Sequence, residues 1–110
     1  MDNITEIMEA IQLPFAYDHF AEGEGPDPPF ICFLLPGSDN FPADGRVYFK
    51  ATMVHIELYT DLKDPELEQR VETVLDEHGI FYDKSEVWIE SERLYEVLYS
   101  FELEVKTNEQ

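Results

Sequence analysis

The spacing of apolar residues predicts two amphipathic helices. Ile4, Ile7, Met8 and Ile11 recur at intervals of three and four, which places them on one helical face. Asp2 or Asn3 can cap the start of this first helix. Pro14 is expected to end it, because the residue before a proline is disfavoured in helical geometry.

The second helix has the stronger signals at its ends. Asp64 and Pro65 match a capping residue followed by proline at the first helical position, and Gly79 suits the left-handed residue that closes a helix. Its apolar stripe consists of Leu67, Val71, Val74, Leu75 and His78. Together these signals predict a helix that starts after Asp64 and ends before Gly79.

Four segments have the patterns of β-strands. Residues 30–35 form a continuous apolar run, typical of a strand buried on both faces, and residues 80–91 alternate loosely. Residues 94–105 alternate regularly, with one apolar and one polar face, as expected for a half-buried antiparallel strand. Residues 46–60 also alternate, but the apolar parity changes near Met53 and Val54, which predicts a β-bulge there or two adjoining strands.

The connections complete the predicted fold. Glycines and prolines predict long loops over residues 13–29 and 36–45, and residues 106–110 are expected to fray. The element order is then α-β-β-α-β-β. We expect a single α+β domain over residues 1–110, with a mainly antiparallel sheet of about four strands and the helices on one face.

The charge is strongly one-sided. The chain has 25 acidic and 7 basic residues, a formal net charge of −18. Such a surface disfavours direct binding to nucleic acid or to an anionic membrane. Residues 1–45 carry no Lys or Arg at all, so their carboxylates are either solvated or meet a basic partner.

No residue set in the sequence indicates catalysis, a cofactor or a metal. His19, His55 and His78 lack metal-ligand spacing; His55 is expected to face solvent and His78 to be structural. Asp18 and His19 are neighbours, which is weak evidence for a dyad. The single cysteine, Cys32, lies within the most apolar run, where a buried inert thiol is expected.

An acidic stripe on the second helix leaves two interpretations open. Glu68, Glu72 and Asp76 recur every four residues. Like charges at this spacing slightly destabilise an isolated helix. A solvated helix face is the favoured interpretation, and a basic partner is the other.

Six segments resemble one known family. They are YDHFAEG (17–23), PPF (28–30), LPGSDNF (35–41), ADGRVYFK (43–50), HIELYT (55–60) and WIESE (88–92). With the order of elements, these runs are similar to the small tail-terminator, or tail-completion, proteins of long-tailed bacteriophages and prophages. The resemblance covers most of the chain, but several neck and tail proteins share this size and fold.

The resemblance implies a structural function in the virion. Members of the family are not enzymes and need no cofactor; they assemble as rings, commonly hexamers, that cap the tail tube and join it to the head connector. The expected partners are further copies of this chain, the tail tube protein and the head–tail connector protein. The expected location is the virion tail, and the host cytoplasm during assembly. Candidate assembly contacts are Phe41, Asp44 and Arg46 in the long hairpin loop, with Tyr17 and Phe20.

Two other functions stay open at this point. One is a different structural protein of the same particle, such as a head–tail connector or minor capsid protein. The other is an acidic inhibitor that mimics DNA and occupies a basic cleft. Such a mimic needs exposed carboxylates in two rows, whereas those of residues 1–45 are scattered among glycines and prolines.

Overall fold

A computed structural model of the protein describes residues 4–21, 23–38, 41–42 and 47–108, with side chains described for 4–21, 23–37 and 51–103. Two helices and six strands occur within these residues. In chain order they are α1 (Ile4–Ile11), β1 (Phe15–Tyr17), β2 (Phe30–Ser38), β3 (Phe41–Pro42), β4 (Val47–Thr60), α2 (Pro65–Glu77), β5 (Asp83–Ile89) and β6 (Leu94–Asn108).

The strands form one mostly antiparallel sheet. Its order is β1-β2-β4-β6-β5, and β3 pairs separately with β4. Only β1 and β2 are parallel among the described pairs. The predicted α+β class is confirmed, but the predicted element order and the four strands are wrong, because β1 and β3 are additional. Strands of two or three residues are too short to show alternation.

The predicted loops and tail contain more pairing than the sequence indicated. β1 lies within residues 13–29, and the region 36–45 contains the end of β2 and all of β3. The predicted frayed tail also pairs up to Asn108, which lies opposite Val47. Backbone pairing needs no apolar side chain, so a polar segment such as residues 106–108 gave no strand signal.

The predicted bulge lies on a different strand. The register of β2 against β4 shifts between Leu34 and Gly37, opposite Val54, so the extra residue belongs to β2. β4 itself pairs without interruption along β6. The prediction of a bulge or a break within residues 46–60 is therefore wrong: Met53 and Val54 simply lie on opposite faces of one continuous strand.

Both helices pack on the same face of the sheet, as predicted. The core contains buried residues of α1, β2, β4, α2 and β6, namely Ile7, Met8, Ile11, Ile31, Phe33, Val54, Ile56, Leu58, Leu67, Val71, Val74, Leu75, Val97, Tyr99 and Phe101. The intervening positions of the strands point away from the helices. We call this second surface the open face; it includes Cys32, His55, Glu57, Tyr59, Glu96 and Leu98.

The ends of α2 form as the sequence predicts. The Asp64 carboxylate accepts a hydrogen bond from the backbone N–H of Leu67 at 3.1 Å, which satisfies one unpaired donor of the first turn. After the helix, Gly79 has a φ of +69°, in the left-handed region that glycine adopts without a steric penalty.

α1 ends earlier than proline alone requires. Gln12 turns into the left-handed region with a φ of 64°, immediately after the last helical residue. Arg70 of α2 then caps the exposed carbonyls: its Nη2 donates to the Ile11 oxygen at 2.6 Å and to the Gln12 oxygen at 2.7 Å. A cation at a helix C-terminus also interacts favourably with the negative end of the helix dipole. Arg70 thereby joins the two helices over the sheet.

Candidate functional site

A partly open pocket lies on the open face of the sheet. Its volume is about 360 Å³, within the range of roughly 300–1,000 Å³ found for small-molecule sites. Three surfaces enclose it: the strands of the sheet, the segment between β1 and β2, and the turn from β5 into β6. Its lining consists of Asp18, His19, Phe20, Gly25, Phe30, Cys32, Tyr59, Ile89, Glu92 and Leu94. We call it the aromatic pocket.

Three rings form one wall of the aromatic pocket. Phe30 of β2 stacks on Tyr59 of β4, with 5.1 Å between ring centroids and 27° between the planes. The edge of Phe20 meets Phe30 at 5.5 Å in a T-shaped arrangement. The first pair follows from the sheet register, since Phe30 and Tyr59 are direct cross-strand partners.

Carboxylates surround the floor of the pocket. Cys32 is 5% exposed, and burial together with the charges of Glu57, Asp18 and Glu96 raises the pKa of its thiol to about 11. The prediction of a buried thiol at Cys32 is confirmed. Its thiolate, the nucleophilic form, is strongly disfavoured at neutral pH.

Tyr59 also contacts Glu57, which lies two residues earlier on the same face of β4. The Tyr59 hydroxyl donates a hydrogen bond to Glu57 Oε1 at 2.9 Å. Burial nevertheless raises the pKa of Glu57, and the neighbouring Glu96 carboxylate adds to the effect. Glu57 is thus a half-buried carboxylate with a second carboxylate, Glu96, close by on the same face.

Asp18 and His19 interact, but they do not form a catalytic arrangement with Cys32. His19 Nδ1 lies 2.9 Å from Asp18 Oδ2, and the His19 side chain is 76% exposed. No hydrogen bond joins His19 to Cys32 within the described part of the chain. The described residues also contain no group of three or more His, Cys, Asp or Glu side chains placed to hold a metal ion.

The other two histidines lie apart from the pocket lining. His55 is half-buried on the open face, so the prediction that it faces solvent is only partly right. His78 lies within hydrogen-bonding distance of the Val74 carbonyl, 2.9 Å from Nδ1, at the end of α2. That contact agrees with the structural role predicted for His78.

The structure describes the side chains of two of the five candidate assembly residues, Tyr17 and Phe20. Tyr17 is 58% exposed on β1 and tilts against Phe33 at 5.3 Å between centroids, while Phe20 is half-buried in the aromatic pocket. The backbone of Phe41 pairs with Phe49 in the sheet. Its side chain, and all of Asp44 and Arg46, lie outside the described residues.

The acidic stripe of α2 meets basic residues of this same chain. Glu68 is only 5% exposed, and its two oxygens accept from Lys63 Nζ at 2.6 Å and Lys84 Nζ at 2.9 Å. Lys84 also contacts Glu72 at 2.7 Å, and Lys63 contacts Glu86. We call these five residues the ion-pair cluster. The favoured interpretation of a solvated face is wrong for Glu68, whose basic partners belong to this same chain. Of the three residues of the stripe, only Asp76 is exposed.

The ion-pair cluster fixes the position of β5 at the edge of the sheet. β5 pairs with β6 on one side, and no described strand pairs with its other side. Six of its seven side chains are exposed, including Val87 at 52% and Trp88 at 40%. The sequence predicted the strand but not its place, because strand order is not encoded in alternation.

No family model and no curated protein matches the chain in comparisons with known families and proteins. Neither of the two described helices is long and apolar enough to cross a membrane.

Proposed function

We propose that the protein is a non-enzymatic assembly protein of a bacteriophage or prophage tail, and specifically the tail terminator. On this proposal it forms a ring, commonly of six copies, that caps the tail tube and joins it to the head connector. The family resemblance of the six sequence segments suggests the particle and the partners. The observation in the structure that supports an assembly role is the unpaired edge of β5.

An unpaired edge strand presents a row of backbone donors and acceptors that can pair with another chain. Proteins commonly protect such edges with charged side chains. In β5, Lys84 and Glu86 are held in the ion-pair cluster on the helix side of the sheet. Val87 and Trp88 remain exposed beside them. The outer edge of β5 therefore suits a subunit contact.

The two ends of the strand order suit a ring in particular. A ring closes when two different surfaces of each subunit meet head to tail. β5 ends the sheet on one side, and β1, with the exposed Tyr17, ends it on the other. On this proposal the β5 edge of one copy meets the β1 side of the next.

The chemistry of the pocket favours a non-enzymatic role over a hydrolase. A nucleophilic cysteine needs a lowered pKa and a hydrogen-bonded base. Burial and surrounding carboxylates raise the pKa of Cys32, and the nearby His19 makes no hydrogen bond to it among the described residues.

Electron microscopy of particles lacking this gene tests the proposal. Deletion from the phage or prophage genome that encodes it should give tails of abnormal length and heads without attached tails, since nothing would stop tube growth. Headless tails of normal length beside tail-less heads would place the protein in the connector instead. Normal infectious virions would overturn both assignments and favour the acidic inhibitor.

A further inference from the structure

We propose that the aromatic pocket binds an arginine side chain carried by an extended segment of a partner protein. This inference does not rest on the proposed function, because it follows from the shape and charge of the pocket alone.

The wall of the pocket favours a planar cation. Ring faces attract cations through their quadrupoles, and guanidinium groups also stack on aromatic planes. The Phe30 ring contacts both other rings of this wall. Its centroid lies 5.5 Å from that of Phe20 and 5.1 Å from that of Tyr59. A cation entering beside them would contact aromatic carbon and lose little favourable hydration, because guanidinium is weakly hydrated.

The charges around the pocket have the complementary sign. Asp18 and Glu92 belong to its lining, and their exposed carboxylates flank its opening. Glu57 and Glu96 lie on the same open face outside the lining, close enough to Cys32 for their charges to raise its pKa. Carboxylates are the acceptors that the forked donors of a guanidinium match, and Asp18 also contacts His19 Nδ1 at 2.9 Å through its Oδ2.

Three of the four basic residues whose side chains are described, among lysines and arginines, have partners elsewhere. Lys63 and Lys84 belong to the ion-pair cluster on the helix side, and Arg70 caps α1. Arg93 follows Glu92 in the turn, yet forms no ion pair among the described residues. No described lysine or arginine forms an ion pair with Asp18 or Glu92, so a partner's cation can pair with these carboxylates.

The open rim favours a side chain presented on a peptide over a free small molecule. Because Asp18, His19 and Glu92 are exposed, a partner backbone can pass across the opening while one long side chain enters. Arginine is among the residues that dominate protein interfaces, since its stem is apolar and its head makes several hydrogen bonds.

A chemical-shift titration of the isotopically labelled full chain tests the inference. The probes are acetyl-Gly-Ser-Arg-Ser-Gly-amide and the same peptide with citrulline, which keeps the shape and removes the charge. We expect saturable shifts at the amides of Phe20, Phe30, Cys32 and Leu94. We also expect the citrulline peptide to bind at least about tenfold more weakly, as loss of the cation–π and ion-pair contacts implies.

Matched variants separate the pocket from the general negative charge of the chain. The double variant Asp18→Asn, Glu92→Gln should weaken binding of the arginine peptide by about tenfold. The control Asp61→Asn, Glu77→Gln removes the same two charges at exposed positions outside the pocket lining and should change binding less than about twofold.

Four results of the peptide titrations would overturn the inference, and a fifth comes from the chain alone. They are the absence of saturable shifts, equal binding of the citrulline peptide, an equal effect of the two double variants, and binding of free guanidinium as tight as that of the peptide. Concentration-dependent shifts of the same amides without any peptide would make a second copy of the chain the occupant, and would also contradict it.

Discussion

The Tyr99 hydroxyl donates a hydrogen bond to Glu72 Oε2 at 2.9 Å, although the Tyr99 side chain is otherwise fully buried. Tyr99 lies at the centre of β6, and Glu72 lies on α2. Lys84 of β5 reaches the same carboxylate. One phenol at the core boundary thus links the helix layer, the central strands and the β5 edge.

Tyr99→Phe should destabilise the fold, because Phe keeps the ring packing but removes the donor to Glu72. We expect a loss of about 1.5–3 kcal/mol in the free energy of unfolding, the usual effect of deleting a hydrogen bond to a charged group. Urea denaturation measures it. The control Tyr17→Phe removes a phenol from a ring that is 58% exposed, and should change stability by less than about 0.5 kcal/mol.

Lys84→Gln should destabilise the chain at neutral pH, since the buried Glu68 would lose one of its two cations. We expect about 1 kcal/mol, because Lys84 itself is partly exposed and solvent weakens the pair. Arg93→Gln, at an exposed position without a described ion pair, is the charge-matched control. Equal effects of the two variants in urea denaturation would contradict a specific role for the ion-pair cluster.

The same cluster predicts acid sensitivity. Burial opposes ionisation of Glu68, but hydrogen bonds from Lys63 and Lys84 outweigh it and lower its pKa below 4.5. A carboxyl whose pKa is lower when folded stabilises the fold above its unfolded value, and this contribution disappears as pH falls through the folded value. Glu68→Gln should therefore flatten the loss of stability that wild type shows below pH 4.5, as urea denaturation at several pH values would show.

Glu57→Gln should increase the free energy of unfolding at neutral pH, whereas Lys84→Gln should decrease it. Burial raises the pKa of Glu57, so its ionised form destabilises the fold, and that penalty is relieved as pH falls toward 4.5. Gln keeps an oxygen that accepts from Tyr59. We expect a gain on the order of 0.5 kcal/mol at pH 7 that shrinks in acid, measured by urea denaturation against wild type. A constant difference at all pH values would contradict the assignment.

Helix signals and the burial of one face were predictable from the sequence because they depend on local chemistry. Asp64 caps α2 and Gly79 follows it as expected, and the stripe of Ile7, Met8 and Ile11 is buried. The alternation of residues 94–105 likewise identified the face that carries Val97 and Tyr99. In each case the deciding interactions lie within a few residues of one another.

The remaining features depend on contacts between distant segments. The extra residue of β2 opposite Val54 is visible only in the strand register. Arg70 caps the carbonyls of Ile11 and Gln12, which precede it in the sequence by 59 and 58 positions. The aromatic pocket was also not predicted from the sequence. Phe20 was predicted as an assembly contact, and nothing local indicates that it would meet Phe30 and Tyr59.

The measurement that tests the account most directly is tail length after complementation of the deletion strain. Val87→Asp places a charge beside the exposed β5 edge, and Thr73→Asp places the same charge on the exposed outer face of α2. If the β5 edge closes the terminator ring, wild type and Thr73→Asp restore tails of normal length, whereas Val87→Asp, folded by circular dichroism, leaves tails of abnormal length. Full restoration by Val87→Asp would contradict the account.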